Sequence, residues 1–579
     1  MLSAKVGILG GGQLGRMLVE AANRLNIQTN VLDAENAPAK QISAHDSHVV
    51  GGFNDHASVR KLAKLCDVLT PEIEHVDTHA LEEVEAEVKV EPSWKTIRLI
   101  QDKFQQKGHL SKFDIPMADH RELQQNSVDE LNAIGEELGY PLMLKSKTQA
   151  YDGRGNYTVR TKEDVSAALE ALKGRPLYAE KWAKFKMELA VMVVKTKDSV
   201  LSYPTVETVQ EDSICKLVYA PARNVSDTVS RKAQELARNA VAAFEGKGVF
   251  GVEMFLLQDD SLLLCEVACR VHNSGHYTIE ACPISQFEAH LRAILDLPIP
   301  PKSLEARQPS IMLNILGGAT PDSHIEVATR ALSIPNASIH LYSKGAARPG
   351  RKMGHITVTA RTMQEAQIMI QPLIELTDEL RDQRTDIPPR PSSSHPSSKP
   401  SSKLQPPPTI EVMMGSDSDL KTLVPGLKLL KEHFGIAPAV NVVSAHRTPG
   451  YMAEYGASAA ARGAKVIIAA AGGAAHLPGM VAAYTTLPVI GVPVKGSSLD
   501  GVDSLHSIVQ MPRGVPVATV GINNSINAAL LAARILGAFD DEVKKKVESF
   551  AEGARQENME KGTKMTELGW EAYHESMQK

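Results

Sequence analysis

Short apolar runs that end in glycine or serine recur along the chain and alternate with amphipathic stretches. The segment KVGILGGGQLGRMLVEAANRLNIQTNVLD, residues 5–33, predicts a strand, a glycine turn, a helix and a second strand. This order is typical of the opening of a parallel, doubly wound sheet. After residue 409, the runs IEVMMGSDSDL, KVIIAAAGG and LPVIGVPV repeat the pattern. We therefore predict a separate carboxyl-terminal α/β domain with a parallel sheet, of the flavodoxin-like or Rossmann-like type.

Between these regions, helical stretches alternate with longer apolar runs such as PLMLKSK, LAVMVVK, GVFGVEMFLL and SLLLCEV. They indicate an α+β domain with antiparallel hairpins, followed by a small appended α/β domain. The segment IPPRPSSSHPSSKPSSKLQPPP holds almost nothing that a core could bury, and it predicts a disordered, extended linker. The predicted ranges are 1–105 for the first domain, 106–300 for the α+β domain, 301–385 for the appended domain, 386–409 for the linker and 410–579 for the last domain.

Composition narrows the classes of partner. The 579 residues are 43% hydrophobic and 23% charged, as in ordinary globular proteins, and exceed what one core usually organises. A formal charge of -5 and only 4% aromatic residues argue against nucleic acid as a binding partner. Five scattered cysteines and no signal-peptide pattern favour a reducing cytoplasm. The apolar region Val466 to Val494 is interrupted by glycines and prolines, so it predicts strand, loop, helix and strand rather than a membrane span.

The first glycine turn supports two interpretations. Gly10 to Gly15 fit the pattern G-x-G-x-x-G between a strand and a helix, and Asp33 ends the next strand, where a ribose-binding acid would lie. This is the pattern of an NAD-dependent oxidoreductase. The alternative is a tight turn whose backbone amides meet a phosphate or a carboxylate at the helix amino terminus, and the motif alone favours that alternative.

Two glutamates are placed symmetrically about a predicted hairpin turn at residues 258–261. This hairpin pairs Glu253 with Glu266, residue 254 with Cys265 and residue 255 with residue 264, so both carboxylates share one face. Like charges directly opposite each other destabilise a hairpin unless something neutralises them. A divalent cation would do so, and oxygen ligands favour magnesium shared with substrate phosphates. The alternative is that both glutamates face solvent or pair with lysines.

Upstream of this hairpin, Lys145 lies inside an apolar strand, where a desolvated ammonium group needs an anion. The segment AYDGRGN follows, and its Gly153 and Gly155 allow the backbone to close over phosphates while Arg154 supplies charge. A plain hairpin turn would explain this loop by itself. A lysine, a glycine loop and paired carboxylates in this order together indicate nucleotide binding.

The segment CEVACRVHNSGH resembles a zinc site superficially, through Cys265, Cys269, His272 and His276. It has no C-x-x-C, and alternation along a strand places Cys265 and Glu266 on opposite faces, so thiols and carboxylates would not face one site together. We therefore do not expect zinc. Arg270, His272 and Asn273 are better suited to binding a small oxyanion beside the metal.

Three loops after the linker end predicted strands. MGSDSD, with Ser416, Ser418 and Asp419, opens a helix where a phosphate would bind, although an N-cap alone needs no function. SAHRTP joins His446, a titratable group, to Arg447, and AGGAAHLPG surrounds His476 with small residues. A lone histidine is more often structural. Because the carboxyl ends of parallel strands meet at one edge of a sheet, we expect the three loops to converge on one crevice.

Residues 1 to about 380 resemble the ATP-grasp family that makes N5-carboxyaminoimidazole ribonucleotide from aminoimidazole ribonucleotide, bicarbonate and ATP. The similar motifs are GGGQLGRM, TPEIEHV, QDKFQQK, YDGRGN, AEKWAKFKMEL, CEVACRVHNSGH and GRKMGH. The resemblance implies magnesium at Glu253 and Glu266, and a carboxylation centre at Arg270, His272 and Asn273. For ATP it implies Lys103, Lys145, Ala150, Tyr151, Asp152, Gly153, Arg154, Gly155, Asn156, Glu180, Lys181, Trp182, Ala183, Glu188, Cys265 and Glu266; for the ribonucleotide it implies Gln13, Lys344, Arg351 and Lys352.

Residues 410 to about 570 resemble the carboxyaminoimidazole ribonucleotide mutase family, through MGSDSD, SAHRTP, AGGAAHLPG and QMPRGVPV. The resemblance implies that Ser416, Ser418, Asp419 and Arg447 hold the ribonucleotide. It makes His446 the general acid and base of carboxylate transfer and His476 a pocket residue.

The whole chain is similar to the fused phosphoribosylaminoimidazole carboxylases of fungi. This resemblance implies two steps of purine biosynthesis with ATP, magnesium and bicarbonate and without flavin, NAD or zinc. It also implies a homo-octamer through the last domain, with dimer contacts of the synthetase half. Three alternatives stay open: direct carboxylation by carbon dioxide in the last domain, an NAD(P)-dependent oxidoreductase, and a nucleotide sensor without turnover.

Overall fold

The computed structural model describes residues 3–148, 155–384, 409–460, 462–496 and 499–577. The chain divides into two compact units, Met1–Ser392 and Ser393–Lys579. The predicted linker lies almost entirely outside the described residues, and so do Ala150, Tyr151, Asp152, Gly153 and Arg154. Among the described residues, no helix is long and apolar enough to cross a membrane.

The amino-terminal sheet of the first unit is parallel and has the strand order β3-β2-β1-β4-β5. This order is that of a doubly wound sheet, and the predicted strand, glycine turn, helix and strand are confirmed. The strands are Lys5–Leu9 (β1), Gln28–Asp33 (β2), Val49–Val50 (β3), Val68–Pro71 (β4) and Lys89–Val90 (β5). The helices are Gln13–Arg24 (α1), His56–Ala63 (α2), Thr78–Val84 (α3) and Trp94–Gln101 (α4).

A four-stranded antiparallel sheet follows, with the order β6-β9-β7-β8. Its strands are His120–Glu122 (β6), Leu142–Ser146 (β7), Asn156–Val159 (β8) and Leu177–Lys181 (β9), and its helices are Lys103–Leu110 (α5), Val128–Leu138 (α6) and Val165–Ala171 (α7). In β7, Leu142 and Leu144 are fully buried, and Lys145 points to the opposite face. The strand therefore presents one ammonium group on the face opposite its buried leucines.

The third sheet of this unit has nine strands in the order β15-β14-β10-β12-β13-β16-β18-β17, with β11 against β10. The strands are Phe185–Lys195 (β10), Val200–Ser202 (β11), Val206–Glu211 (β12), Ile214–Ala220 (β13), Gly248–Leu257 (β14), Leu262–Ala268 (β15), Ser310–Leu316 (β16), Ala337–Leu341 (β17) and Lys352–Thr359 (β18). The helices are Asp227–Ala242 (α8), Thr278–Ala281 (α9), Gln286–Ile294 (α10), Ser323–Ala331 (α11) and Met363–Asp382 (α12). The predicted antiparallel hairpins are confirmed, and the sheet continues past residue 300 because β13 pairs with β16.

The second unit is a parallel sheet of five strands in the order β20-β19-β21-β22-β23. Its strands are Ile410–Met414 (β19), Ala439–Val442 (β20), Val466–Gly472 (β21), Val489–Val494 (β22) and Ala518–Thr519 (β23). Its helices are Leu420–Glu432 (α13), Pro449–Ala457 (α14), Leu477–Tyr484 (α15), Val502–Val509 (α16), Ser525–Gly537 (α17), Asp541–Leu568 (α18) and Trp570–Met577 (α19). This strand order is flavodoxin-like, and the apolar region around β21 and β22 is strand, loop, helix and strand as predicted.

Candidate active sites

The two glutamates of the predicted hairpin face each other. Glu253 on β14 pairs with Glu266 on β15. Both line a cavity of about 150 Å³, together with Lys145, Glu188 and Cys265. The remaining lining residues are Tyr178, Leu189, Thr208, Met254 and Phe255.

The rest of the predicted hairpin register is wrong. The register shifts directly after Glu253, so Met254 pairs with Leu264 and Phe255 pairs with Leu263. Cys265 is the extra residue of a β-bulge, and a bulge interrupts the alternation of side chains between the two faces of a strand. Cys265 and Glu266 consequently line the same cavity, whereas strict alternation places them on opposite faces.

Burial and charge act in opposite directions on the glutamate pair. Burial, and next the charge of Glu266, raise the pKa of Glu253 to about 8. Burial also disfavours ionised Glu266, but the ammonium of Lys103, which bonds to its carboxylate, outweighs burial and holds that pKa low. These two partly buried carboxyl groups repel each other when both are ionised, and either a proton on Glu253 or a divalent cation between them would relieve that repulsion.

The residues present fit magnesium bound jointly with a substrate. Among the described residues, no group of three or more His, Cys, Asp and Glu side chains could hold a metal ion. Two carboxylates and a cavity agree with magnesium, which is usually held by one or two carboxylates, waters and substrate phosphates.

Lys145 forms an ion pair with Glu180, as expected for an ammonium group on an apolar strand. Its Nζ lies 2.6 Å from Glu180 Oε2, and Lys107 Nζ lies 3.1 Å from Glu180 Oε1. Burial opposes the charge of Lys145, but Glu180 more than compensates and raises the pKa of the lysine. Burial likewise opposes ionised Glu180, yet the two lysines hold its pKa at about 2. Lys145 and Glu180 are therefore both charged.

The other described residues expected at ATP lie on β8, β9 and β10 and next to these strands. Glu188 lies on β10 inside the cavity, where burial raises its pKa. Lys181, the last residue of β9, is exposed; in the connection to β10, Trp182 is exposed and Ala183 is partly buried. At the described end of the phosphate loop, Gly155 has a φ of 92°, a backbone conformation that favours glycine, and Asn156 begins β8.

The segment after β15 places His272 beside Glu253 and Arg270 beside Glu74. Arg270 Nε lies 2.9 Å from Oε1 of Glu74, and His272 Nε2 lies 3.8 Å from Oε1 of Glu253. Burial, followed by Arg270, lowers the pKa of His272 to about 3, so the ring is neutral. Asn273 is buried, and its amide exchanges hydrogen bonds of 3.0 and 2.6 Å with Asn314.

Four residues expected at the ribonucleotide lie together. Lys344 Nζ donates to the side chain of Gln13, which begins α1, and to the carbonyl of Lys352 at 3.1 Å. Arg351 Nη1 donates to the carbonyl of Lys344 at 3.2 Å. The start of α1 and the segment between β17 and β18 thus present three cationic side chains within one region.

Glu72 is a residue that the sequence analysis missed. It is 7% exposed, and it accepts hydrogen bonds from the amides of Gly12 and Leu14 at 2.5 and 3.2 Å. Asp33 accepts from the amide of Gly11 at 2.6 Å. The carboxylate interpretation of the glycine turn is therefore confirmed. Because β4 lies beside β1, the acidic segment EIEH directly after β4, residues 72–75, was the signal that an acid would reach this turn.

The three predicted loops of the second unit converge. Arg447 Nη2 donates to the carbonyl of Gly415 at 3.2 Å, and His446 Nε2 lies 2.8 Å from His476 Nδ1. Ser416 caps the short turn before α13, and its hydroxyl accepts from Ser418 Oγ at 3.0 Å. Asp419 is buried there, which raises its pKa. The loops after β19, β20 and β21 thereby form one crevice with paired imidazoles.

Four family models match the chain. They are a ribonucleotide synthetase preATP-grasp domain at residues 3–101, an ATP-grasp domain at 108–287, a phosphoribosylaminoimidazole carboxylase C-terminal domain at 310–368 and AIR carboxylase at 409–557. Together they span both units.

Relatives match the whole chain. Phosphoribosylaminoimidazole carboxylase of Candida albicans is 54% identical over 99% of this chain and 99% of its own, and that of Saccharomyces cerevisiae is 54% identical over 100% of both. The crystal structure of carboxyaminoimidazole ribonucleotide synthase from Aspergillus clavatus, complexed with ATP, is 75% identical with a TM-score of 0.64 and covers 66% of this chain and 99% of that one. The chain belongs to the phosphoribosylaminoimidazole carboxylase family, with an ATP-grasp synthetase half and an AIR carboxylase half.

Proposed function

We propose that the chain converts 5-aminoimidazole ribonucleotide to 4-carboxy-5-aminoimidazole ribonucleotide in purine biosynthesis. The first unit would carboxylate the exocyclic amine with ATP and bicarbonate, and the second would move that carboxylate to ring carbon four. One observation carries the proposal: a single chain contains both candidate sites. The first unit has the paired glutamates Glu253 and Glu266 beside Lys145, and the second unit has the paired histidines His446 and His476. The second unit alone would have no source of the carbamate.

In the synthetase half, Lys145, Glu188 and the connection from Glu180 to Ala183 would hold ATP. The loop from Ala150 to Asn156 would cover its phosphates, and Lys103 and Cys265 would lie at the cavity with them. Magnesium held by Glu253 and Glu266 would offset the negative charge of phosphoryl transfer. A structure of the similar Aspergillus clavatus enzyme was determined in complex with ADP and 5-aminoimidazole ribonucleotide, which supports both ligands here.

Bicarbonate is a poor electrophile and must be activated. One of its oxygens would take the γ-phosphoryl group, releasing ADP and forming carboxyphosphate, which breaks into carbon dioxide and phosphate. The amine of the ribonucleotide would then attack the carbon dioxide and lose a proton to give the carbamate. Arg270 and neutral His272 suit the developing oxyanion, with Asn273 beside them, and Gln13, Lys344, Arg351 and Lys352 suit the ribonucleotide phosphate.

In the mutase half, Ser416, Ser418, Asp419 and Arg447 would hold the phosphoribosyl part. The bond between nitrogen and carboxylate breaks, and the carbon dioxide stays in a small pocket. Ring carbon four attacks it, while His446 returns a proton to the amine and accepts the proton lost from the ring. His476, within hydrogen-bonding distance of His446, would line the pocket.

We propose a cytoplasmic homo-octamer built through the second unit, with dimer contacts of the synthetase half. Exposed large apolar side chains on the second unit support an assembly, among them Val440, Val442, Tyr484 and Phe539. All five cysteines are free, as in a reducing compartment. We also propose domain boundaries at the predicted positions, with domains at 1–105, 106–300, 301–385 and 410–579 and a linker at 386–409.

A coupled assay tests this function. Purified chain would receive 5-aminoimidazole ribonucleotide, bicarbonate and MgATP, and ADP and carboxylated product would be followed separately. We expect ADP and product to form together. Product without ADP would support direct carboxylation, ATP binding without turnover would support a sensor, and NAD(P)H binding would support an oxidoreductase.

A further inference from the structure

The strand that carries Glu266 lies at the edge of its sheet. In the described part of the chain, β15 pairs with β14 on one side and ends the nine-stranded sheet. An edge strand presents a row of backbone amides and carbonyls that need partners. The amide of Leu264 finds one in the carbonyl of Pro116, at 2.8 Å. Val267, directly after Glu266, has its partner in a side chain.

That side chain is Gln106 on α5. It is 2% exposed, its Oε1 accepts from the amide of Val267 at 3.0 Å, and its Nε2 donates to the carbonyl of Val267 at 2.7 Å. A neighbouring strand would offer the same acceptor and donor. One glutamine amide thus substitutes for a strand at the residue next to a predicted metal ligand.

A second glutamine repeats this arrangement five residues further on. Gln286 begins α10 and is fully buried. Its Oε1 accepts from the amide of His272 at 2.9 Å, and its Nε2 donates to the carbonyl of His272 at 2.7 Å. Its Nε2 also lies 3.3 Å from His276 Nδ1. A Cβ on Gly275 would lie 2.5 Å from this amide oxygen, so the loop needs glycine there to admit the glutamine.

We propose that Gln106 and Gln286 are positioning residues that fix the two ends of the segment from Glu266 to His272. Gln106 would place Glu266 for the metal and ATP, and Gln286 would place His272 for the carboxylation step. The kinetic part of this inference rests on the proposed function. A primary amide is required because an ionised carboxylate accepts hydrogen bonds but cannot donate to the carbonyl.

The two glutamines provide matched controls for each other. Methionine has a similar length and can neither donate nor accept as an amide does. In Gln106→Met, hydrogen exchange of the peptide containing Val267 should accelerate about tenfold or more, while the peptide containing His272 keeps its rate. In Gln286→Met the pattern should be reversed. Mass spectrometry of the full chain measures both peptides together.

Kinetics separate positioning from stability. Gln106→Met should raise the KM for MgATP about tenfold or more, as loss of a group that orients a metal ligand does. Gln286→Met should leave that KM within about twofold and lower kcat/KM for the ribonucleotide about tenfold or more. When the carbamate is supplied, mutase turnover of each variant should equal that of the wild type. This activity serves as an internal measure of the concentration of folded protein.

A double variant tests whether Gln286 acts through His272. Adding Gln286→Met to His272→Asn should cause little further loss of synthetase activity. The inference would be overturned if the losses of the two single variants multiply in the double variant. It would also be overturned if either glutamine variant accelerates exchange equally in both peptides, or lowers every kinetic parameter equally. If the wild type makes no carbamate, the proposed function is wrong. Hydrogen exchange, and MgATP binding measured by calorimetry, would still show whether Gln106 and Gln286 hold the backbone of Val267 and His272.

Discussion

Glu253 and Glu266 illustrate how burial and neighbours set the charge of single residues. The two carboxylates lie opposite each other on adjacent strands, and Lys103 neutralises only one of them. Burial first, and then the charge of Glu266, raise the pKa of Glu253 to about 8. A carboxyl group with such a raised pKa can exchange its proton for a cation without breaking a strong ion pair.

We expect Glu266→Gln to reduce ADP formation at least about 100-fold, because several kcal/mol of charge stabilisation correspond to two or more orders of magnitude in rate. Mutase turnover with supplied carbamate should be unchanged. The assay follows ADP and carboxylated product in the full chain, with exposed Glu326→Gln as the matched control. Equal loss of both activities in a folded variant would contradict the assignment of magnesium to the first unit.

His446 and His476 hydrogen-bond to each other, so their roles must be separated by substitution. His446→Asn should slow carboxylate transfer by about 100-fold to 10,000-fold, the usual contribution of a positioned proton donor. Ribonucleotide binding should survive, since Ser416, Asp419 and Arg447 are retained, and ADP formation should continue. Mutase assays of His446→Asn, His476→Asn and the exposed control His506→Asn decide the matter. Near-normal turnover in His446→Asn with loss in His476→Asn would reverse the assignment.

His290 predicts a pH dependence of stability. Its ring is fully buried between Thr70 Oγ1 at 2.7 Å and the amide of Val249 at 3.0 Å, and burial lowers its pKa from 6.5 to about 4. The unfolded chain therefore binds a proton at higher pH than the folded chain. The stabilisation is fully present above pH 6.5 and is lost as the pH falls towards 4, by about 3 kcal/mol in all.

Urea unfolding of wild type and His290→Gln between pH 7 and pH 4 measures this effect. We expect the wild type to lose more free energy of unfolding than the variant over this range, because only the wild type takes up the extra proton. Identical slopes for the two proteins would show that His290 titrates alike in the folded and unfolded chains.

Among helices and strands, prediction from the sequence succeeded where the apolar periodicity and the turn signals are strong. The parallel sheets, the hairpin and the pairing of Glu253 with Glu266 followed from apolar runs and a symmetric turn. It failed at Cys265, because a bulge depends on how a strand fits its partner and Pro116 rather than on its own residues. The contacts of Glu72, Gln106 and Gln286 were not predicted, because they join different structural elements at separations of 60, 161 and 14 residues that no periodic pattern marks.

The amino terminus of α1 offers a test of one element. A Cβ on Gly12 would lie 2.4 Å from Oε1 of buried Glu72, so Gly12→Ala should displace this carboxylate and lower synthetase activity about tenfold or more. Gly108→Ala on α5 is the control, because a Cβ there meets nothing within 4 Å. We expect that control to be neutral or slightly stabilising. Full synthetase activity in folded Gly12→Ala would show that Glu72 is not needed at this turn.

At the scale of the whole molecule, composition alone predicted a division near residues 386–409, and the chain does divide into Met1–Ser392 and Ser393–Lys579. Each unit has its own sheets and its own buried apolar clusters. The chemistry of the two candidate sites is equally separate, since magnesium and ATP are expected only in the first. The two activities should therefore depend on each other only through the carbamate.

Cleavage of the linker tests this independence. A protease site introduced at Ser397 should give two soluble fragments that each retain activity, because the Pro-rich and Ser-rich segment offers almost no apolar side chains to a core. The amino-terminal fragment should form ADP with its kcat within about twofold of the intact chain, and the carboxyl-terminal fragment should convert supplied carbamate at its former rate. The uncut protein carrying the same insertion is the control.

The same fragments test whether the tether helps the carbamate to reach the second site. Because the carbamate is labile, fragments mixed at low concentration should give less product per ADP than the intact chain if the tether shortens the path of the carbamate. Equal yields would show that free diffusion suffices. Precipitation or inactivity of either fragment would mean that the units stabilise each other.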